Sequence, residues 1–198
     1  MAKVDLFRGD LSRNSRVLVG VAAVLLILST FLPVWKITLQ APQYPQGLSL
    51  VIYSHKVAGE VQEVNILNHY IGMKEIEPNE FPEFRFIPFL IVRFLALAVL
   101  AMMVARLEIA ALGWIDFTVF GMVMLVDFQH WLHDYGHNLS AGAPIRLDPF
   151  TPRFIGTTHV ANFTVSSWPA AGAILMFIAG ALGPLSLFFE YRHRYKGD

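Results

Sequence analysis

The sequence predicts an all-α membrane protein: four transmembrane helices joined by two long outer loops, the first carrying small β-hairpin elements. Three observations predict it. The 198 residues are 55% hydrophobic and 15% charged, with sixteen phenylalanines, and the mean hydropathy is +0.51, too apolar for a soluble domain of this size. Four runs, 17–37, 86–105, 109–128 and 168–189, approach or exceed the roughly 20 apolar residues that cross a bilayer core. These runs lack the alternation of a barrel strand, and in lipid a continuous helix is the economical way to satisfy every backbone group. The whole chain, 1–198, reads as a single polytopic membrane domain.

The first run follows a basic segment and ends in "LPVWK" with no small-residue cleavage site. It is longer than a signal-peptide core and reads as an uncleaved anchor. In the first outer loop, 38–85, "KITLQAP" and "GLSLVIYSHKVAGEVQEVNIL" alternate and carry β-branched residues between Pro42, Pro45, Gly47 and Ala58-Gly59. That pattern suggests one or two small hairpins, forming a cap and not a second large domain. "MKEIEPNEFPEFRF" then forms an irregular or interfacial lead-in to the second helix. The second outer loop, 129–167, opens with a cluster of polar and aromatic residues and passes through "APIRLDPFTPRF", which reads as ordered coil. It re-enters at "SSWPAAG", where Trp168 suits the interface and Pro169 a first helical turn. No repeat or low-complexity segment is present.

Basic residues set the expected orientation. Segments 1–16, 106–108 and 190–198 hold eight Lys/Arg (Lys3, Arg8, Arg13, Arg16, Arg106, Arg192, Arg194, Lys196) in 28 residues, against six in the 89 residues of 36–85 and 129–167. By the positive-inside rule both termini are expected in the cytoplasm of a bacterial inner membrane and both long loops in the periplasm. The chain has no cysteine, so an outer soft-metal site would depend on Met sulfur and His nitrogen. A formal net charge of zero, with no basic run in either loop, argues against nucleic acid as a partner.

Six of seven histidines, His55, His69, His130, His133, His137 and His159, fall in the outer loops, and His193 is inside. In "DFQHWLHDYGHNL", Asp127, His130, Asp134 and His137 stand at offsets 0, 3, 7 and 10 and share a face if the third helix continues past the membrane. His133 and His137 are then neighbours at i, i+4, unless Gly136 ends the helix first. Such spacing brings two or three donors to one cation, with Asp134 available to orient an imidazole. The alternative is an interfacial belt of aromatic and histidine side chains that packs two loops together. In "NILNHYIGMKEI", a helical turn would point His69 and Met73 the same way, a pair suited to Cu(I); the alternative is a Met filling a small core. Arg93 and Asp127 are expected at similar depth in antiparallel helices and are predicted to form an intramembrane ion pair, structural or part of a relay. Asp116, deeper, has no obvious basic partner. It is protonated, bonded to Thr118 or a backbone carbonyl, or turned toward another subunit.

The strings "LPVWKITLQAPQYPQGLSLVIY", "NILNHYIGM", "FPEFRFIPF", "VDF" followed by "DYGHNL", and "FIGTTHVANF" resemble a family of small uncharacterised four-helix membrane proteins associated with copper handling and nitrous oxide reductase maturation. The resemblance spans nearly the whole chain. It covers Asn68, His69, Gly72 and Met73 in the first loop and Asp127, Asp134, Gly136, His137 and Asn138 in the second, but not His130 or His133. It therefore implies a metal site between the loops, made by His69, Met73 and His137 with Asp134, and copper as its metal.

The leading expectation is a non-enzymatic, membrane-anchored protein that handles copper outside the cytoplasm or assists assembly of a copper enzyme. The second is a structural accessory subunit of a larger membrane oxidoreductase, its "EVQEV" and "EIEPNE" segments contacting partners. A membrane hydrolase is disfavoured, since neither His-Glu-x-x-His nor Gly-x-Ser-x-Gly occurs.

Overall fold

The structure, a computed structural model, describes residues 9–160 and 162–195; Lys3, Arg8 and Lys196 of the charge count lie outside them. The elements in chain order are α1 (Arg13–Thr30), β1 (Trp35–Ala41), β2 (Tyr44–Ile52), β3 (Val57–Gly59), α2 (Val61–Ile71), α3 (Glu83–Val104), α4 (Leu107–His137), β4 (Gly156–Val160), β5 (Phe163–Pro169) and α5 (Ala171–Tyr195). Four of them, α1, α3, α4 and α5, are long and apolar enough to cross a membrane.

The all-α expectation is overturned by the loops, which build a five-stranded antiparallel sheet of order β3-β2-β1-β5-β4. The fold is mixed α/β. The first loop's hairpin elements are there as β1, β2 and β3, but β1 pairs on its other side with β5 from the second loop, from Trp35 opposite Pro169 to Gln40 opposite Thr164. Both long loops therefore lie on one side of the bundle and make one cap. The expected helix ends shift accordingly: Trp35 to Ile37 belong to β1, and Trp168 and Pro169 close β5. A hydropathy run cannot separate a helix from a strand that continues it into a buried sheet.

A second correction concerns "VQEVNIL", which closes the stretch read above as strand-like and is part of "VQEVNILNHYI". It is helix α2, with Val64, Leu67, Asn68 and Ile71 buried at helical spacing. Val64, Leu67 and Ile71 pack on one sheet face with Leu39, Ala41, Leu48, Leu50 and Phe163, which is why burial overrides the β-propensity of the valines. The other sheet face is polar over its middle and apolar at one end, where Val51 and Trp168 flank Lys36. By the strand alternation it carries Thr38, Ser49, Ser166 and Thr157 in one cross-strand row and Gln40, Thr164 and His159 in the next. The Thr157 and Ser166 hydroxyls bond at 3.0 Å, and Lys36, Gln40 and His159 are exposed.

Trp35 joins cap to bundle. It is 5% exposed, donates Nε1–H to Ser167 Oγ at 2.8 Å, and meets Phe128 of α4 and Phe154 with ring centroids 5.1 and 5.0 Å away. In the bundle, α1 and α5 run side by side: Ser15 and Ser29 are fully buried, and the Ser12 amide donates to Glu190 Oε1 at 2.8 Å. The start of α1 and the end of α5 thus share the bundle end opposite the cap. Leu26, Ile87, Ile91 and Phe94 centre the remaining packing.

Candidate functional site

Helix α4 has 31 residues, about 46 Å at 1.5 Å per residue, against a hydrocarbon core of about 30 Å. It is longer than a bilayer core needs, and its last turns carry the histidine cluster into the cap. Gly136 does not end the helix: α4 runs to His137 with Asn138 as its cap. Glycine is needed there for a different reason. A Cβ at Gly136 would lie 1.8 Å from the carbonyl oxygen of Phe150, whose amide donates to Gly136 O at 3.0 Å. The second loop is tied down further by Ser140 N–H to Gly72 O at 2.8 Å and Ile145 N–H to Tyr70 O at 2.9 Å. Expected as ordered coil, it is a strap across the ends of α4 and α2.

The four residues assigned to a metal site take separate surroundings. Helix α2 stops at Gly72, φ 80°, a left-handed cap that glycine adopts without strain. Met73 consequently lies beyond the helix, its amide on Asn68 O at 2.9 Å, and its side chain packs against the cap core. His69 remains exposed on α2. The i, i+4 pairing of His69 with Met73 is thus broken by the turn between them. Asp134 accepts from Lys74 Nζ at 2.8 Å and from the Asn138 amide. His137 stacks on His133 with ring centroids 3.8 Å apart, its Nδ1 3.0 Å from His133 O. Among the described residues no three His, Cys, Asp or Glu side chains are placed to hold a metal ion. Asp134 is thus held by Lys74 and Asn138, Met73 is packed into the cap core, and His69 and His137 stand exposed on different helices.

The predicted Arg93–Asp127 pair is also replaced. Arg93 bonds to Asp116, while Asp127, half-buried, has Glu83 and His130 as ionisable neighbours. The reason is helical register. Arg93 precedes the end of α3 by eleven residues and Asp116 follows the start of α4 by nine, so lengths of helix that differ by only about 3 Å carry both from the tight α3–α4 turn to within side-chain reach of each other. Counting from that turn would have found the pair; counting from an assumed outer end at residue 128 misplaced it.

Electrostatics in the cap are structural. The Lys74 ammonium, helped by Asn138, holds the Asp134 carboxyl below its ordinary value. Tyr135, buried and surrounded by Glu80, Asp134 and Glu77, has its phenol pushed well up and donates to Glu75 O at 3.2 Å. Because the folded pKa of Asp134 is depressed, the stability it contributes is present above its unfolded value of about 3.9 and is lost as pH falls below that, through the folded pKa. The pair is partly exposed, so its worth is about 0.2–1 kcal/mol. Lys74→Ala is expected to raise the Asp134 titration midpoint toward about 3.9, followed by NMR of the carboxyl carbon; an unchanged midpoint would remove Lys74 as the cause.

No protein-family model matches the chain, and no curated protein matches it at a significant level.

Proposed function

We propose that the protein is a non-catalytic, membrane-anchored accessory or assembly subunit that presents its cap, on the periplasmic side of a bacterial cytoplasmic membrane, to a larger membrane complex. One observation carries this reading. Both loops are spent on a single sheet clamped to the helix ends, with α2 covering one face and the other left as an open row of hydroxyl and amide side chains. A polar, rigid, pre-ordered surface suits docking, because little conformational entropy is lost when a partner binds. The separate surroundings of the candidate donors support a scaffold in preference to a reaction centre.

Lys36 and Gln40 are exposed on the polar face of the central strand, where substitution leaves the core untouched. Lys36→Glu combined with Gln40→Arg is expected to reduce co-purification of a stoichiometric partner from native membranes at least tenfold, with folded yield unchanged. Wild-type protein that emerges from mild detergent without any stoichiometric partner would overturn the proposal.

A copper-handling role is the second reading, favoured by the resemblance and by one geometric feature, the exposed His133–His137 pair at the tip of α4. The same purified protein separates the two. Copper retained by wild type and lost in His133→Ala/His137→Ala would favour copper handling.

A further inference from the structure

Arg93 sits at the centre of α3, ten residues from its start and eleven from its end, about 15 Å along the helix from either end. Its partner Asp116 is on α4. Yet the pair does not face the interior of the four-helix bundle. The two side chains are 52% and 27% exposed, and the same outer face carries Phe89, Ala96 and Leu100 at positions −4, +3 and +7 from Arg93. It also carries Leu112, Val119 and Val123 at −4, +3 and +7 from Asp116; all six are exposed. Ionisable groups inside a membrane ordinarily face protein or water, since hydrocarbon offers them nothing. Lipid is therefore the wrong cover for this face.

We propose that a second copy of this chain covers it, forming a dimer with its two-fold axis along the membrane normal. Two copies of the same topology can be related only by such an axis, which brings groups of equal depth against each other. Arg93 and Asp116 are already at nearly one depth. One nitrogen and one oxygen are engaged in their contact, which leaves further guanidinium N–H donors and a carboxylate oxygen unused. A two-fold operation sets those donors against the other copy's free oxygen, and the reverse, closing a neutral ring of alternating charge. The face is self-complementary. A different protein would need its own matched donor and acceptor at that depth.

The test uses the full-length chain in native membranes and exploits its lack of cysteine, which makes any introduced thiol unique. Val119→Cys, on the proposed face, is expected to form an oxidised dimer at least tenfold more efficiently than Val24→Cys, which is exposed on α1. Adding Arg93→Leu with Asp116→Leu should reduce the Val119→Cys cross-link to the level of the α1 control. Equal cross-linking at Val119 and Val24, capture of a different chain at Val119→Cys, or a cross-link that persists in the doubly apolar background would each overturn the dimer. If the doubly apolar variant does not accumulate, the comparison of the two single cysteines decides alone.

Discussion

Gly136→Ala is expected to lower stability by about 3 kcal/mol, the upper part of the range for overpacking a close contact. The added methyl would stand 1.8 Å from Phe150 O and 2.9 Å from Phe150 C. Both are backbone atoms, so relief requires moving the strap and not a rotamer. Moving the strap breaks the Phe150 to Gly136 hydrogen bond and loosens the Ser140 and Ile145 bonds to α2. Denaturation in detergent reads the loss, and hydrogen exchange should locate it: faster exchange in 138–153 and at the end of α2, with α1 and α5 unchanged. Stability equal to wild type would mean that the close approach of strap and helix is not maintained.

Trp35→Ala is expected to cost about 3–5 kcal/mol, as for other buried aromatic truncations. Trp35 is the side chain through which the cap rests on the membrane bundle, and its removal leaves Phe128 and Phe154 facing a void. It also strands Ser167, which is 1% exposed and would keep only its donation to Phe154 O at 2.9 Å. Trp35→Phe separates the two contributions, since it preserves most of the packing and gives up the indole hydrogen bond, at about 1 kcal/mol. A Trp35→Ala protein with wild-type denaturation behaviour would show that cap and bundle are coupled elsewhere.

The four spanning helices were legible because their signal is local, an uninterrupted apolar run that the bilayer requires. The sheet was legible only in part. Its hairpin strands have alternating sequence and nearby turns, but β4 and β5, "GTTHV" and "FTVSSWP", are rich in hydroxyls. One inward position of β5 is a serine whose burial depends on Trp35, 132 residues away. No local pattern carries that information. The helical pairing of His69 with Met73 was lost to one backbone detail, the left-handed turn at Gly72 that puts Met73 into the core. The glycine was visible in the sequence, and its consequence for Met73 followed from helix-cap geometry. Lys74 as the partner of Asp134 depends on how loop and helix end meet, which is a tertiary fact.

The central pairing of β1 with β5 also bears on biogenesis. When α1 and the first loop have emerged from the ribosome, β1 has β2 on one side and a bare edge on the other, and the partner for that edge has not been synthesised. It becomes available only after α3, α4 and a further stretch of chain have been made. Until then an open strand edge of seven residues stands unpaired, the kind of edge that recruits other strands. Folding of the cap is therefore a late step that closes the molecule over its own membrane insertion. A nascent chain arrested between α4 and β5 would be the species most exposed to aggregation and to quality-control proteolysis.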